Sequence, residues 1–251
     1  MNKKLKIVIE ELSGWVRSKV EEASAAGVVL GMSGGLDSSV TAVLCKNACP
    51  RSTLGLILPC RSNPKDIEHV KQVADKFDIE TKMIDISTVF EAAIESLDTT
   101  YVEKEDIATA NMKPRLRMLV LYYFANKLNY LVVGTGNKSE LLIGYFTKYG
   151  DGGVDILPLG NLLKTEVRAL AGALGIPQEI LDKPPSAGLW AGQTDESEIG
   201  ISYEELDMIL NAIESADFSG CDENKVEKVK KEIERSEHKR KTPPVAYLRS
   251  V

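Results

Sequence analysis

The feature that most constrains this fold is a glycine-rich turn that joins a short apolar run to a helical pattern. Residues 28–32 read VVLGM, residues 33–39 read SGGLDSS, and residues 40–46 are apolar at helical spacing. This order predicts a strand, a glycine loop and a helix. Gly34 and Gly35 lack the Cβ atom that would hinder the backbone from turning its N–H groups inward. Those N–H groups, the helix N-terminus and the serine hydroxyls together predict an anion site.

The anion that this loop is expected to bind is a phosphate. Asp37 stands at the start of the helix and offers an oxygen ligand to a Mg²⁺ ion that a phosphate would bring. An ordinary strand-to-helix turn is the alternative, but the flanking serines and the aspartate favour a phosphate loop. The loop is neither a Walker A motif nor a dinucleotide fingerprint. Its SGG-x-D-S pattern resembles the pyrophosphate loop of the N-type ATP pyrophosphatases, which cut ATP between the α and β phosphates.

The composition excludes several classes of partner. The chain has 251 residues, of which 43% are apolar, and its net charge is −6 at pH 7. Nucleic-acid-binding proteins usually carry a basic field, so this balance argues against a nucleic-acid partner. No apolar run approaches the roughly 20 residues that span a bilayer, and the N-terminus lacks the apolar core of a signal peptide. We therefore expect a cytoplasmic protein with no membrane partner.

Cysteine and histidine do not predict a metal or redox centre. The cysteines form no C-x-x-C pair, and the chain has two histidines, so a zinc site is not predicted. Free thiols in a reducing compartment are the simpler interpretation. The four cysteines are Cys45, Cys49, Cys60 and Cys221.

Strand and helix patterns alternate along the first half of the chain. Such alternation predicts an α/β fold with a doubly wound, mostly parallel sheet flanked by helices, in which ligands lie outside the carboxyl ends of the strands. Apolar or alternating runs predict strands at 28–32, 53–59, 80–86 and 130–133. Helical spacing predicts helices at 2–25, 64–77, 89–97, 107–128, 162–174, 203–213 and 225–233. No domain boundary is visible, so we expect one domain over residues 1–251.

Candidate binding residues also follow the fourth predicted strand. Residues 134–160 are rich in glycine and carry aromatic and charged side chains, which argues against disorder. Lys164 falls in the first turn of a predicted helix, where a cation is unfavourable unless an anion is near. Residues 183–193 contain prolines and glycines that exclude a regular element, and they predict a lid. Pro114 is expected to begin or kink the helix that carries Arg115.

Taken together, these segments resemble the ammonia-dependent NAD synthetases. The matching segments occur in the same order and span most of the chain. They are the glycine loop, Asn111 with Arg115, residues 134–137 (GTGN) with Glu140, residues 146–152 (FTKYGDG), residues 154–155 (VD), residues 164–165 (KT), residues 185–189 (PSAGL), residues 193–196 (QTDE) and residues 238–240 (HKR).

The resemblance implies a role for individual residues. Asp37 and Glu140 would hold Mg²⁺. The implied ATP-binding residues are Gly31, Met32, Ser33, Gly34, Gly35, Leu36, Asp37, Ser38, Ser39, Thr135, Lys164 and Ser186. The implied deamido-NAD-binding residues are Arg115, Lys148, Asp155, His238 and Lys239. A solvated side chain is the alternative for Arg115, for Lys164 and for the basic tail.

The resemblance also implies a reaction. The family uses ATP and ammonia to convert deamido-NAD into NAD through an adenylate, releases AMP and pyrophosphate, and forms homodimers. A glutaminase domain is not expected, because no cysteine lies in a recognisable nucleophile setting. Two other classes remain as alternatives: a transfer-RNA thiolation enzyme that shares the loop, and a nucleotide-binding sensor without turnover.

Overall fold

The computed structural model describes residues 3–97, 106–190 and 192–247 of the chain. A parallel sheet lies at the centre of these residues. Within these residues four strands run in the order β3-β2-β1-β4, and every neighbouring pair is parallel. The strands are β1 (Gly27–Gly31), β2 (Thr53–Ile57), β3 (Glu80–Met83) and β4 (Tyr130–Val133). The order reverses between β1 and β4, which is the switch point of a doubly wound sheet. The predicted α/β fold is therefore confirmed.

Helices precede, connect and follow the strands. Among the described residues they are α1 (Lys3–Glu22), α2 (Leu36–Ala48), α3 (Pro64–Phe77), α4 (Ser87–Glu95), α5 (Ile107–Ala110), α6 (Met112–Leu128), α7 (Lys138–Ile143), α8 (Lys164–Leu174), α9 (Gln178–Leu181), α10 (Asp195–Ile199), α11 (Tyr203–Ser215) and α12 (Glu223–Arg240). No described helix combines the length and the apolar character that crossing a bilayer requires.

The sheet is covered on both faces, which explains why its central strand is apolar without alternation. On one face, Leu30 packs in a core shared by α1, α2 and α8. On the other face, Val29 packs with Leu121 of α6. A smaller core joins α7, α11 and α12, with Leu206 at its centre. These helices belong to the part of the chain that follows β4.

Two predicted helices differ from the observed ones. The stretch 107–128 is broken at Asn111 into α5 and α6. Pro114 is the third residue of α6, and α6 continues through it because the first turn does not need that residue's backbone N–H. The helix predicted at 225–233 is much longer, since Asp222 caps it and it continues through Arg240. The basic residues near the C-terminus are therefore helical rather than a solvated tail.

The close approach of β1 and the residue before β2 gives a test of the packing. A Cβ atom on Gly27 would lie 2.2 Å from the Ser52 carbonyl oxygen, which is backbone and cannot rotate away. We expect Gly27→Ala to lower the free energy of unfolding by about 1–3 kcal/mol, as other overpacked cores do. Gly14→Ala is the matched control, because nothing lies within 4 Å of that position in α1. Urea denaturation of both variants should show a loss for Gly27→Ala alone; equal stability of the two would contradict the packing.

Candidate functional site

The glycine loop lies at the carboxyl end of β1 and leads directly into α2. Gly34 has φ +76°, and a Cβ atom there would lie 2.3 Å from the Asp66 carbonyl oxygen in the first turn of α3. Both facts require glycine at this position. Gly35 is the N-cap residue of α2 and supplies no side-chain cap. The first turn of α2 therefore presents backbone N–H groups at the end of the strand, as an anion site does.

The serines of the loop hold its shape. The hydroxyls of Ser33 and Ser38 lie 3.0 Å apart, and those of Ser38 and Ser39 donate to the Gly35 carbonyl at 3.0 and 2.8 Å. Behind the loop, the Met32 side chain is buried. Its sulfur packs against Gly55 of β2, where a Cβ atom would lie only 2.4 Å from it. The loop is thus fixed before any ligand arrives.

Beside the loop is a buried cluster of opposite charges. The Lys164 ammonium bonds the Asp37 carboxylate and lies 3.4 Å from Glu140 Oε1. Lys164 is only 7% exposed. The three residues come from the starts of α2, α7 and α8. The Lys164 ammonium, placed against the dipole of its own helix, is therefore paired with Asp37 and lies beside Glu140.

Asn137 joins the two acidic residues of this cluster. Its side-chain nitrogen donates to Asp37 Oδ1 at 3.1 Å, and its oxygen accepts from the Glu140 backbone N–H at 3.0 Å. Glu140 in turn accepts from the Asn137 backbone N–H at 3.2 Å, which completes a capping box at the start of α7. Asn137 is fully buried. The orientation of Glu140 is therefore fixed by the cap of its own helix.

A second layer of polar groups lies behind Glu140. The Tyr203 hydroxyl donates to Asp195 Oδ2 at 3.0 Å and lies 3.5 Å from Glu140 Oε1. Asp195 is buried at the start of α10, and its backbone N–H donates to the Pro185 carbonyl at 3.0 Å. The irregular segment 183–193 is thereby attached to the rim of the charged cluster.

Burial and charge shift the pKa values of these groups. Burial raises the pKa of Glu140 to about 8; the Lys164 ammonium opposes the rise and the Asp37 carboxylate adds to it. Burial alone would lower the pKa of Lys164, but Asp37 and then Glu140 outweigh it, so the pKa is raised overall. Burial also raises the pKa of Asp195. The site therefore keeps the Lys164 ammonium charged, while burial keeps a proton on Glu140 up to a pH of about 8.

These carboxyl oxygens fit a divalent cation, which would take the place of the proton on Glu140. Asp37 and Glu140 approach one another through their shared contact with Lys164. Mg²⁺ is commonly held by one or two carboxylates together with substrate phosphates and water. Among the described residues no group of three or more acidic, cysteine or histidine side chains forms a complete metal cage. The donor set thus suits a metal that a phosphate ligand helps to hold.

Four of the predicted dinucleotide residues meet around the loop that follows α7. Arg115 Nε donates to the Lys148 carbonyl at 3.4 Å, and Lys148 Nζ donates to the His238 carbonyl at 2.6 Å. Lys239 Nζ donates to the carbonyls of Gly144 and Phe146, at 2.7 and 3.0 Å. Burial lowers the pKa of Lys239. The structure thus brings α6, this loop and the last turn of α12 together.

Three further predicted residues, Asp155, Thr135 and Ser186, lie beside or just after β4 and in the segment 183–193. Asp155 accepts from the Val132 backbone N–H at 2.7 Å and from the Tyr122 hydroxyl at 2.9 Å, beside β4. Thr135 is half-buried just after β4. The Ser186 hydroxyl accepts from the Gly188 N–H at 3.1 Å within its own segment.

Sequence reasoning gave no role to several residues around the cluster. The spacing of Asn137 and Glu140 is that of a capping box, which was a usable signal. Asp207 lies on the apolar face of α11 with Leu206 and Leu210, so a carboxylate inside a hydrophobic stripe was a second signal. Tyr203 carries no such signal, because its contacts with Asp195 and Glu140 depend on how α11 packs.

Known proteins match this chain over most of its length. The model of a family described as NAD synthase matches residues 8–243. The NH(3)-dependent NAD(+) synthetase of Carboxydothermus hydrogenoformans is 48% identical over 241 residues, which are 95% of this chain and 96% of that protein.

Solved structures agree with this similarity. NMN synthetase from Francisella tularensis has a TM-score of 0.88 and 37% identity, covering 97% of this chain and 99% of its own. The NH3-dependent NAD synthetase from Campylobacter jejuni, solved with a nitrate ion, has a TM-score of 0.83 and 30% identity, with the same coverage.

The raised pKa of Glu140 predicts a loss of stability on raising the pH of the ligand-free protein. The folded pKa is about 8 against 4.5 for the ordinary side chain, so between these values the folded chain holds a proton that the unfolded chain has lost. The stabilisation is complete below about pH 4.5 and disappears as the pH rises through about 8. Between these pH values we expect the free energy of unfolding to fall by a few kcal/mol more in wild type than in Glu140→Gln, whose side-chain amide can keep the helix cap.

Urea denaturation from pH 5 to 8.5, without nucleotide or divalent cations, measures this difference. Glu11→Gln, an exposed change in α1, is the control and should follow wild type. Parallel curves for wild type and Glu140→Gln would contradict the raised pKa.

Proposed function

Because the chain belongs to the NAD synthase family, we propose that it carries out that family's reaction at the cluster of Asp37, Glu140 and Lys164. The chain is an NAD synthetase, a ligase that forms an amide C–N bond from deamido-NAD, ATP and ammonia. The observation that carries the location is the buried, acidic cluster beside a helix N-terminus that offers free amides. A transfer-RNA thiolation enzyme and a sensor without turnover are not favoured, since the matching proteins are synthetases.

The reaction requires activation of a carboxylate, which does not react with ammonia as an anion. The nicotinate carboxylate of deamido-NAD attacks the α-phosphorus of ATP, and pyrophosphate leaves. Ammonia then attacks the acyl carbon of the adenylate, AMP leaves, and a proton is released to give the amide of NAD. The protein must align the two substrates and stabilise the charge on the phosphates.

We assign the phosphates to the loop from Gly31 to Ser39. Its support is the first turn of α2, which has no side-chain cap, and the Lys164 ammonium next to Asp37. Preorganised donors of this kind stabilise charge that develops on leaving oxygens without reorganising during the reaction. We further propose that Thr135 and Ser186 contact ATP from β4 and from the irregular segment.

We propose that Asp37 and Glu140 hold Mg²⁺ with the phosphates. The two neighbouring carboxyl groups and the raised pKa of Glu140 support this, because a cation would replace the proton that burial keeps on Glu140. When bound, Mg²⁺ supplies positive charge to the phosphate oxygens and helps pyrophosphate to leave. Lys164 would then keep its bond to Asp37 or turn toward the phosphates.

We propose that the segment 183–193 excludes water from the adenylate, which water would hydrolyse. Two ion or hydrogen-bond contacts support this. Lys183 Nζ bonds Asp66 Oδ1 at 2.5 Å beside the glycine loop, and the buried Lys113 donates to the Leu189 carbonyl at 2.6 Å. The first contact holds the segment close to the loop that we assign to the phosphates, and the second fastens its other end to α6.

Deamido-NAD is assigned to Arg115, Lys148, Asp155, His238 and Lys239. The support is that four of these residues gather around one loop, where they offer positive charge to a substrate that carries two phosphates. Asp155 lies beside β4 and would contact a different part of the dinucleotide.

We also propose that the protein is a cytoplasmic homodimer and acts on free ammonia. Support for the dimer comes from the middle of α6, where residues 118–125 (MLVLYYFA) are apolar on every side of the helix. Leu119 and Tyr123, one turn apart, are 62% and 57% exposed. Support for free ammonia comes from the Carboxydothermus relative, which is named as an NH(3)-dependent enzyme.

A second candidate acceptor is the mononucleotide. The Francisella protein is named for NMN synthesis and is 37% identical to this chain with a TM-score of 0.88. A chain with that specificity would use the same chemistry on nicotinate mononucleotide. The curated Carboxydothermus relative is more similar, at 48% identity, which favours the dinucleotide.

Release of pyrophosphate tests the function directly. With ATP, Mg²⁺ and ammonium, release should depend on deamido-NAD, and kcat/KM should be higher for it than for the mononucleotide. Asp37→Asn should lower kcat on the order of 10²-fold or more while the protein stays folded, because a charge that serves the transition state is lost. Asp75→Asn, an exposed change in α3, is the matched control. Release without any acceptor, or full activity of Asp37→Asn, would contradict the assignment.

Lys148 tests the assignment of the dinucleotide. Lys148→Ala removes a charge-assisted donor, and we expect a roughly tenfold higher KM for deamido-NAD with little change in the KM for ATP. Lys71→Ala, an exposed change in α3, should alter neither value. Steady-state kinetics that vary one substrate at a time give both constants. A larger rise in the KM for ATP would mean that the two substrate sites have been exchanged.

A further inference from the structure

Lys164 occupies a position that its own helix does not favour. It is the first residue of α8, where the helix dipole repels a cation and where backbone N–H groups need acceptors. Leu163, at the N-cap, has no oxygen or nitrogen in its side chain and caps nothing. Glu166 of the same helix accepts from the Leu163 backbone N–H at 2.8 Å, so the N–H groups of Lys164 and Thr165 are the ones that another part of the chain must stabilise.

That stabilisation comes from Asp207 in α11. Its Oδ2 atom accepts from the backbone N–H and the hydroxyl of Thr165, each at 2.8 Å. Its Oδ1 atom accepts from the hydroxyl of Ser139 in α7. The Ser139 oxygen accepts from the Lys164 backbone N–H at 3.0 Å. The first two amides of α8 thus bond to Asp207 directly and through Ser139.

The burial of this network makes it rigid. Asp207 is 3% exposed, and Ser139 is completely buried. The three helices that the network joins include the two that carry Lys164 and Glu140. The starts of α7 and α8 therefore share a single carboxylate, which sets how far apart they stand.

We propose that Asp207 is a positioning residue, which caps α8 from α11 and so holds the Lys164 ammonium between Asp37 and Glu140. It does not touch a reacting atom. It acts through Ser139 and Thr165 on the residues that we assign to ATP and metal. This inference rests on the proposed function for its kinetic consequences, whereas the effect on nucleotide binding can be measured without turnover.

Asparagine is an informative replacement for Asp207. It is nearly isosteric and can accept from Thr165, but it presents an NH2 group to Ser139 and removes the negative charge from the start of α8. Groups that orient active-site residues typically cost 10–100-fold in metal affinity or activity when they are changed. Because the deamido-NAD residues belong to other contacts, the KM for that substrate should stay within about twofold.

The experiment compares Asp207→Asn with Val167→Ala. Val167 is fully buried in α8 and its truncation should also lower stability, but it leaves the contacts of Asp207 intact. For both variants, kcat, the two KM values, and the affinity for Mg²⁺ with α,β-methylene-ATP by calorimetry are measured well below the melting temperature. We expect kcat and that affinity to fall about tenfold or more in Asp207→Asn and by less than twofold in Val167→Ala.

Two results would overturn the proposal: values within twofold of wild type in folded Asp207→Asn, or the same losses in Val167→Ala. If wild type shows no turnover dependent on deamido-NAD, the proposed function fails, and the calorimetric comparison alone decides the role of Asp207. If Asp207→Asn does not fold, Thr165→Val replaces it, because it removes one hydroxyl donor and keeps the backbone bond. A smaller loss in the same two quantities is then expected, and unchanged values would contradict the proposal.

Discussion

The contact of one buried ammonium with two carboxylates is the interaction on which the rest of the site depends. Lys164 contacts both Asp37 and Glu140, although Asp37 lies more than a hundred positions before it in the sequence. They meet because β1 and β4 are neighbours in the sheet, so the segments that leave their carboxyl ends lie side by side. A buried charge of this kind is tolerated only when it is paired. The sheet order, the two helix starts and the cluster therefore require one another.

The cluster is poised for ligands rather than optimised for stability. The carboxyl groups of Asp37, Glu140 and Asp195 lie around one ammonium, and desolvation raises the pKa of Glu140 although that ammonium opposes the rise. The glycine loop provides the complementary groups, because the start of α2 offers backbone N–H donors and its N-cap residue has no side chain to accept from them. A triphosphate with a cation would satisfy both halves at once: anionic oxygens for the amides, and positive charge for the carboxylates. Active sites often retain such unbalanced groups at some cost to stability.

Local patterns predicted what is local in this molecule. The strand, loop and helix around Gly34 and the strand before Thr135 each follow from a few adjacent residues, and so the α/β fold was predictable. The exact helix ends were less so, because α12 continues through the basic residues that sequence alone treats as a tail. There Arg240 donates to the carbonyls of Leu141 and Leu142, a contact between distant parts of the chain that no local pattern predicts. Tyr203 could not be assigned, since its partners come from the packing of a helix rather than from its own sequence.

The most direct test is a crystal structure with Mn²⁺ and α,β-methylene-ATP, in which anomalous scattering locates the metal. We expect Mn²⁺ at about 2.1–2.2 Å from carboxylate oxygens of Asp37 and Glu140, and phosphate oxygens that accept hydrogen bonds from the backbone N–H groups of Gly34 and Gly35. Metal and phosphates found away from the carboxyl ends of β1 and β4 would contradict this expectation.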